Sequence, residues 1–152
     1  MKKYTMNKKQ AFAHFNLLQK NPVWSWSAIS DDLRSASYFD NLITSEAKLV
    51  GITLWVDLMR PNKEMIWRYD NFDKNTELWQ HLSGNTHRKE HIQYCIDHCN
   101  GLFRTIMLIP EKKGVFDETR EIKNAKPFDA AWFKILEFSS ITGEFRAESI
   151  LE

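Results

Sequence analysis

The chain has 152 residues, enough for one domain with its own hydrophobic core, and we expect a single domain over residues 1–152. The charges of its 21 basic and 20 acidic residues nearly cancel. This excludes a strong net electrostatic attraction of the whole molecule to nucleic acid or membrane. Two cysteines, Cys95 and Cys99, exclude a disulfide framework, and no apolar stretch is typical of a signal peptide or a membrane span, so we expect a cytoplasmic protein with no membrane partner.

The amino-terminal segment predicts an amphipathic helix over residues 7–19. Apolar residues recur there at helical spacing, and Asn21-Pro22 ends the pattern because a residue before proline disfavours the helical region. The first twenty residues hold lysines and no acid, and we consider three of them candidate phosphate contacts: Lys8, Lys9 and Lys20. The alternative, and the more common case, is a solvated helix face.

Two strand patterns with tryptophans follow this helix. Residues 23–29 alternate, with Trp24, Trp26 and Ala28 on one face, and the polar residues 30–46 predict an irregular connection or a short helix. Residues 48–58 give the clearest strand, apolar on one face and carrying Trp55 between Thr53 and Asp57 on the other. Residues 64–69 predict its hairpin partner after the turn at 60–62.

The second half of the chain predicts one long helix and three further strands. Residues 87–99 form the helix, with Thr86 as its cap and Asn100-Gly101 as its end. Residues 102–109 predict a buried central strand, residues 111–127 a long charged excursion, and residues 132–139 and 144–150 a terminal hairpin. The order predicts an α+β domain, with a mixed, mostly antiparallel sheet of about five or six strands and two main helices.

The aromatic strand faces predict a pocket for a planar ligand. Trp55 supplies a ring for stacking, while Thr53 and Asp57 supply groups that bind the ligand edge. The remaining candidate walls are other tryptophans and nearby hydroxyls: Trp24, Trp26, Trp67, Ser25 and Ser27. The alternative for Trp24 and Trp26 is packing beneath the first helix against Phe12 and Phe15.

The helix at 87–99 carries His87, His91, Cys95 and Cys99 at four-residue steps, a spacing by which one helix face can offer two ligands to zinc. Helical projection places the cysteines on the apolar face and the histidines on the wet face, and the rest of the chain offers no second pair of ligands. We therefore predict buried cysteines, surface histidines, and no metal or other cofactor.

Three charged residues resemble the Asp and Glu-x-Lys arrangement of metal-dependent nucleases: Asp57, Glu111 and Lys113. In such enzymes two acids hold Mg²⁺ and the lysine polarises the attacking water. Here a helix separates Asp57 from Glu111, and Pro110 precedes the glutamate, so solvated charges at strand ends are the competing interpretation.

Four segments resemble an uncharacterised bacterial domain family whose members occur alone or beside HNH-type nucleases: Asn-Pro-Val-Trp-Ser-Trp-Ser, Leu-Trp-Val-Asp, His-Cys-Asn-Gly before Phe-Arg-Thr-Ile-Met-Leu-Ile, and Thr-Gly-Glu-Phe. The resemblance covers nearly the whole chain and transfers no catalytic residue. A mixed sheet with aromatic residues around a small pocket is also similar in outline to the PUA-like group of modified-base readers.

These observations favour a non-catalytic nucleic-acid-binding module, a DNA-binding reader of modified or flipped bases in a defence or restriction context. The alternatives are a metal-dependent nuclease or hydrolase, and a protein-interaction or homodimeric domain without catalysis. For the last of these we expect a sheet edge at residues 144–150 to meet the partner.

Overall fold

A seven-stranded sheet and three α-helices make up the part of the chain that the computed structural model describes, which is residues 6–21, 24–33, 47–114 and 120–150. The helices are α1 (Lys8–His14), α2 (Thr76–Trp79) and α3 (Ser83–His98). The strands are β1 (Ser27–Ile29), β2 (Val50–Trp55), β3 (Met59–Pro61), β4 (Trp67–Asp70), β5 (Leu102–Pro110), β6 (Ile122–Phe138) and β7 (Phe145–Ile150). A 3-10 helix, Val56–Leu58, lies between β2 and β3.

The strand order in the sheet is β1-β2-β5-β6-β7-β4-β3. The β2–β5 pair is parallel and the other five neighbouring pairs are antiparallel, which confirms the predicted α+β class and the mixed, mostly antiparallel sheet. The predicted strand number of five or six is too low. The 3-10 turn at Val56–Leu58 breaks the single strand predicted at 48–58 and lets β3 begin as a separate strand.

This turn also changes the predicted hairpin. β4 pairs with β3, whereas β2 pairs with β1 and β5, so the 48–58 and 64–69 segments are not direct neighbours. Trp55 in β2 and Met59 in β3 are only four residues apart, a reach of about 14 Å at most, although their strands are second and seventh in the sheet. The sheet must therefore curl to bring its two ends together, and the curl encloses space between β2, β5 and β4.

Helix α1 begins at a capping box. The Asn7 side chain accepts from Gln10 N–H at 2.8 Å, and the Gln10 side chain accepts from Asn7 N–H at 3.0 Å, so two otherwise unpaired donors are satisfied. Ala11 and Phe12 are fully buried against the sheet. The helix is shorter than the predicted 7–19 segment, but its apolar face points inward as its spacing indicates.

Helix α3 begins at Ser83, upstream of the predicted cap at Thr86, which lies inside the helix. Its carboxyl end is as predicted. Asn100 and Gly101 both have positive φ, and Gly101 N–H donates to Cys95 O at 3.0 Å, which closes the last turn. Upstream of α3, residues Thr76–Trp79 form the single turn of α2.

The carboxyl-terminal hairpin is confirmed by the pairing of β6 with β7. β6 is longer than expected because its first half pairs with β5, so the predicted excursion at 111–127 becomes strand from Ile122 onward. β7 lies between β6 and β4, so the predicted edge at 144–150 is wrong, and β1 and β3 end the sheet.

Two other expectations concern the segments around β1. The strand predicted at 23–29 is confined to Ser27–Ile29, and the connection predicted at 30–46 lies mostly outside the described residues, as do residues 115–119 of the charged excursion. Among the helices in the described ranges, none combines the length and the apolar character needed to cross a membrane.

Candidate ligand-binding site

A cavity of about 440 Å³ lies inside the curl of the sheet, a volume that suits a small planar ligand. Five aromatic side chains from separate parts of the chain line it: Trp24, Trp26, Trp55, Tyr69 and Trp79. Four of the six tryptophans of the chain thus meet at one place. We call this space the aromatic cavity.

Trp55, at the end of β2, forms one wall together with Arg120. The Arg120 guanidinium lies 4.4 Å from the centroid of the Trp55 ring, and it forms an ion pair with Asp57. Gly114 N–H also donates to Asp57 at 2.8 Å. Asp57 therefore lies behind this wall and positions Arg120. The sequence instead predicts that Asp57 binds the edge of the ligand.

The charge state of Asp57 follows from these contacts. Burial alone raises the pKa of this carboxyl, but the hydrogen bonds from Arg120 and from Gly114 N–H, with the charge of Arg120, hold the net pKa below its usual value. Asp57 is thus ionised at neutral pH, and the ion pair with Arg120 is intact there.

Thr53 and Trp26 are joined through the backbone. Thr53 Oγ1 donates to Trp26 O at 2.8 Å, and Thr53 N–H donates to the same oxygen at 3.0 Å. The hydroxyl hydrogen is therefore committed to the protein. Thr53 also lines the cavity. Its two hydrogen bonds hold Trp26, the residue directly before β1, against β2.

Arg88 of α3 closes another side of the cavity. Its guanidinium lies 4.8 Å from the Trp26 ring, 5.4 Å from the Trp79 ring and 5.2 Å from the Phe145 ring. Nη2 donates to Asn85 Oδ1 at 3.1 Å, while Nε is buried without a hydrogen-bond partner. Burial lowers the pKa of Arg88 to about 10, so the group is cationic at neutral pH.

Polar groups complete the lining. Lys8, in the first turn of α1, is 8% exposed, its Nζ donates to Ser25 O at 3.0 Å, and burial lowers the pKa of the ammonium to about 8. Tyr69 of β4 is buried, which raises the pKa of its hydroxyl to about 12 and keeps it protonated. Asn71 lies beside it and accepts from Phe145 N–H at 2.7 Å.

The structure brings together part of the predicted site. Trp24, Trp26, Trp55, Thr53 and Lys8 all line the aromatic cavity. The other predicted residues do not: Asp57, Trp67, Ser25, Ser27, Lys9 and Lys20. The ring contacts of Trp24 and Trp26 are with His87 at 5.8 Å and with Trp79 at 6.3 Å, so these rings face the α2–α3 side of the cavity.

Several residues that line the cavity were not predicted from the sequence: Tyr69, Asn71, Trp79, Arg88 and Arg120. Trp79 had a usable signal, because an aromatic residue in a short polar helix is expected to pack on something. Arg88 and Arg120 gave no such signal, since neither belongs to a motif. The rings that they contact are distant in sequence: Trp26 and Phe145 for Arg88, and Trp55 for Arg120.

The cysteines of α3 are buried as predicted. Cys95 Sγ donates to Leu102 O and Cys99 Sγ to Lys48 O, each at 3.2 Å. The prediction of surface histidines fails for His91, which is 6% exposed and joined to Ser27 Oγ by a hydrogen bond of 2.6 Å at Nδ1. Within the described ranges, no group of three or more His, Cys, Asp or Glu side chains is arranged to hold a metal ion.

Acid is expected to destabilise the protein through His91. Burial, with a smaller effect from the charge of His87, lowers the pKa of His91 to about 4, whereas histidine in an unfolded chain titrates near 6.5. Between these values the unfolded state binds more protons, so the free energy of unfolding falls as the pH falls from about 6.5 to 4, by on the order of 2 kcal/mol. Urea unfolding across this range measures the slope.

The matched pair of variants for this test lies on one helix. His91→Gln removes the buried imidazole and should flatten the slope, whereas His98→Gln alters an exposed histidine and should leave it unchanged. An unaltered slope in His91→Gln would assign the acid sensitivity to other groups.

The three residues of the nuclease hypothesis have different surroundings. The Asp57 carboxylate pairs with Arg120 and accepts a hydrogen bond from Gly114 N–H. Glu111 and Lys113 are exposed and follow the end of β5. Glu111 N–H donates to Glu121 O, which continues the pairing of this segment towards β6.

Comparison with known proteins adds no family. No protein-family model matches the chain, and no curated protein or solved structure is significantly similar to it. The function has to be inferred from the geometry of the cavity.

Proposed function

We propose that the protein is a non-catalytic nucleic-acid-binding module that accepts a flipped or modified base in the aromatic cavity. The observation that carries this proposal is the cavity of about 440 Å³ with four tryptophans in its lining. A base removed from its stack loses favourable ring contacts, and aromatic side chains replace them. Asn71, Arg88 and Tyr69 supply polar groups at the same lining, which is what reading a base edge requires.

A second cavity beside the first supports the proposal that the protein contacts a nucleic-acid backbone. It has about 430 Å³, and the described residues that line it include Lys8, Lys9 and Lys123 and no acidic residue. Lys8 and Ile122 line both cavities, so the two lie next to each other. We name this lysine-lined space the basic groove. A phosphate in the basic groove would place the attached base within reach of the aromatic cavity.

The curled, mostly antiparallel sheet around an aromatic cavity supports the analogy with PUA-like readers of modified bases, which is an argument from fold alone. The resemblance to bacterial domains beside HNH-type nucleases supports a role in defence or restriction in the cytoplasm.

Trp55→Leu is the direct test of base binding. Fluorescence anisotropy with labelled duplexes carrying cytosine, 5-methylcytosine or 5-hydroxymethylcytosine at one central position measures affinity, and the matching single strands serve as a second series. We expect the modified duplexes to bind more tightly than the plain duplex. Loss of the Trp55 ring should weaken this binding roughly 10- to 100-fold, since stacking of one base on an aromatic side chain is worth that much.

Trp67→Leu is the matched control, because Trp67 is half-buried on β4 and lies outside the aromatic cavity. It should bind as the unaltered protein does. If none of these duplexes or single strands binds even at low salt, the proposed function is wrong.

Lys9→Gln and Lys123→Gln test the basic groove separately. Each should weaken binding to all duplexes alike and reduce the slope of log affinity against log salt by about one unit, because each removes one phosphate contact. Lys63→Gln, at an exposed position between β3 and β4, should leave the slope unchanged. A loss of preference among the bases in Lys9→Gln would contradict a purely phosphate-directed role.

A further inference from the structure

Arg88 is a buried cation whose charge has no carboxylate partner among the described residues. It is 5% exposed, and its one hydrogen bond is to the neutral amide of Asn85. Its other contacts are the faces of Trp26, Trp79 and Phe145. Burying an unpaired charge is costly, and aromatic faces offset only part of that cost.

Asn85 holds the Arg88 guanidinium in position. Asn85 Nδ2 donates to Gln80 O at 2.9 Å and to Thr142 O at 2.8 Å, which turns Asn85 Oδ1 towards Arg88. Arg88 is thus held at the cavity lining by a neutral acceptor that is itself fully satisfied. Its planar group retains donor capacity, since its one hydrogen bond uses a single N–H of Nη2.

Among the described residues, the charge balance of the lining is positive. Four cationic side chains of this part of the chain line the aromatic cavity, Lys8, Lys74, Arg88 and Arg120, against one acidic side chain, the exposed Glu121. Arg120 is neutralised by Asp57, whereas Arg88 has no such counterion in the described part of the chain. An electropositive wall beside tryptophan rings favours a ring that itself carries negative charge.

We propose that the aromatic cavity binds a planar ring bearing an anionic substituent, with Arg88 as the counterion. The inference rests on the proposed function in taking a base as the ring, and it names the class of base: one that carries a carboxylate or a comparable anion. A carboxylate matches the planar fork of a guanidinium, and the tryptophans hold the ring to which it is attached. The ligand then supplies the charge that the protein leaves unpaired.

The first experiment uses the unaltered protein and two duplexes of one sequence. One carries a central 5-carboxylcytosine and the other its neutral amide, 5-carbamoylcytosine, so shape is nearly constant and charge differs. We expect the carboxylate to bind roughly 10- to 100-fold more tightly, the value of one charge-assisted hydrogen bond. Equal affinity for the two duplexes would overturn the inference while leaving base binding by the cavity in place.

The second experiment separates a base in nucleic acid from a free ring. Quenching of tryptophan fluorescence by 5-carboxyuracil and by 5-carbamoyluracil measures the cavity without any phosphate backbone. If the free carboxylate binds and no duplex does, the anion site stands and the proposed nucleic-acid function falls. If neither carboxylate probe binds in preference to its amide, the inference falls.

Arg88→Met tests the residue, because it fills the space between the rings without charge. It should weaken binding of the carboxylate duplex far more than binding of the amide duplex, and so abolish the preference for carboxylate over amide. Arg68→Gln, at an exposed arginine of β4, should retain the full preference. A carboxylate preference that persists in folded Arg88→Met would overturn the assignment, and should that variant not fold, the comparison of the two duplexes on the unaltered protein decides.

Discussion

Asp57→Ala is expected to lower the free energy of unfolding by about 3–5 kcal/mol, because it removes one partner of a buried ion pair and leaves the other charged. The side chains of Asp57 and Arg120 are 4% and 9% exposed, so water cannot replace the lost carboxylate. Gly114 N–H loses its acceptor as well. Urea unfolding at neutral pH measures the difference, and a loss below about 1 kcal/mol would show that the pair contributes little.

Two further variants separate charge from packing at this pair. Asp57→Asn keeps an acceptor for Gly114 N–H and should destabilise less than Asp57→Ala. The double change Asp57→Leu with Arg120→Met removes both charges and should recover much of the stability, since apolar groups of similar volume can replace a buried ion pair. Because Arg120 lies over Trp55, all these variants should also alter the fluorescence of that ring.

Gly143→Ala is expected to destabilise the protein by about 2–4 kcal/mol. Gly143 has φ +88°, which costs an alanine about 1–2 kcal/mol, and a Cβ there would lie 2.1 Å from Asn85 Oδ1. Asn85 must then move, which breaks buried hydrogen bonds to Thr142 O and from Arg88. Thermal and urea unfolding measure the loss, and binding assays should show weaker ligand binding through displaced Arg88.

Gly114→Ala provides the matched control for backbone strain alone. Gly114 has φ +78°, and among the described residues beyond its chain neighbours no atom lies within 4 Å of a Cβ built there, so only the conformational cost of about 1–2 kcal/mol applies, as at Gly143. The difference between the two variants is therefore the cost of displacing Asn85. Equal losses in both would show that Asn85 relaxes without penalty.

The aromatic site was predictable in part because strand alternation is a local property. Trp55 and Thr53 occupy one face of β2, and both line the cavity as that alternation requires. Asp57 fails the same rule because the chain enters a 3-10 turn at Val56, after which side chains no longer alternate. The structure therefore places the tryptophan at the cavity and the carboxylate behind it, against Arg120.

The cationic lining was not predictable, because it depends on contacts between distant segments. Arg88 meets Trp26 and Phe145, which are 62 and 57 residues away in the chain, and no motif or local period connects them. Helical projection also misplaced His91, since the face it occupies is covered by Ser27 of β1. Burial of a polar side chain is decided by what packs on it, and a single sequence does not state that.

The sequence by itself determined the local elements: the first helix with its apolar face, the buried cysteines of α3, the closing turn at Asn100-Gly101 and the final hairpin. These follow from residue spacing and turn chemistry, which act over a few residues. Only the tertiary structure decided that the sheet has seven strands, that it curls, and that β7 lies inside it. Long-range strand pairing has no local signature in the sequence. The cavity is formed by segments that are brought together only in the folded chain, so it could not be predicted from the sequence.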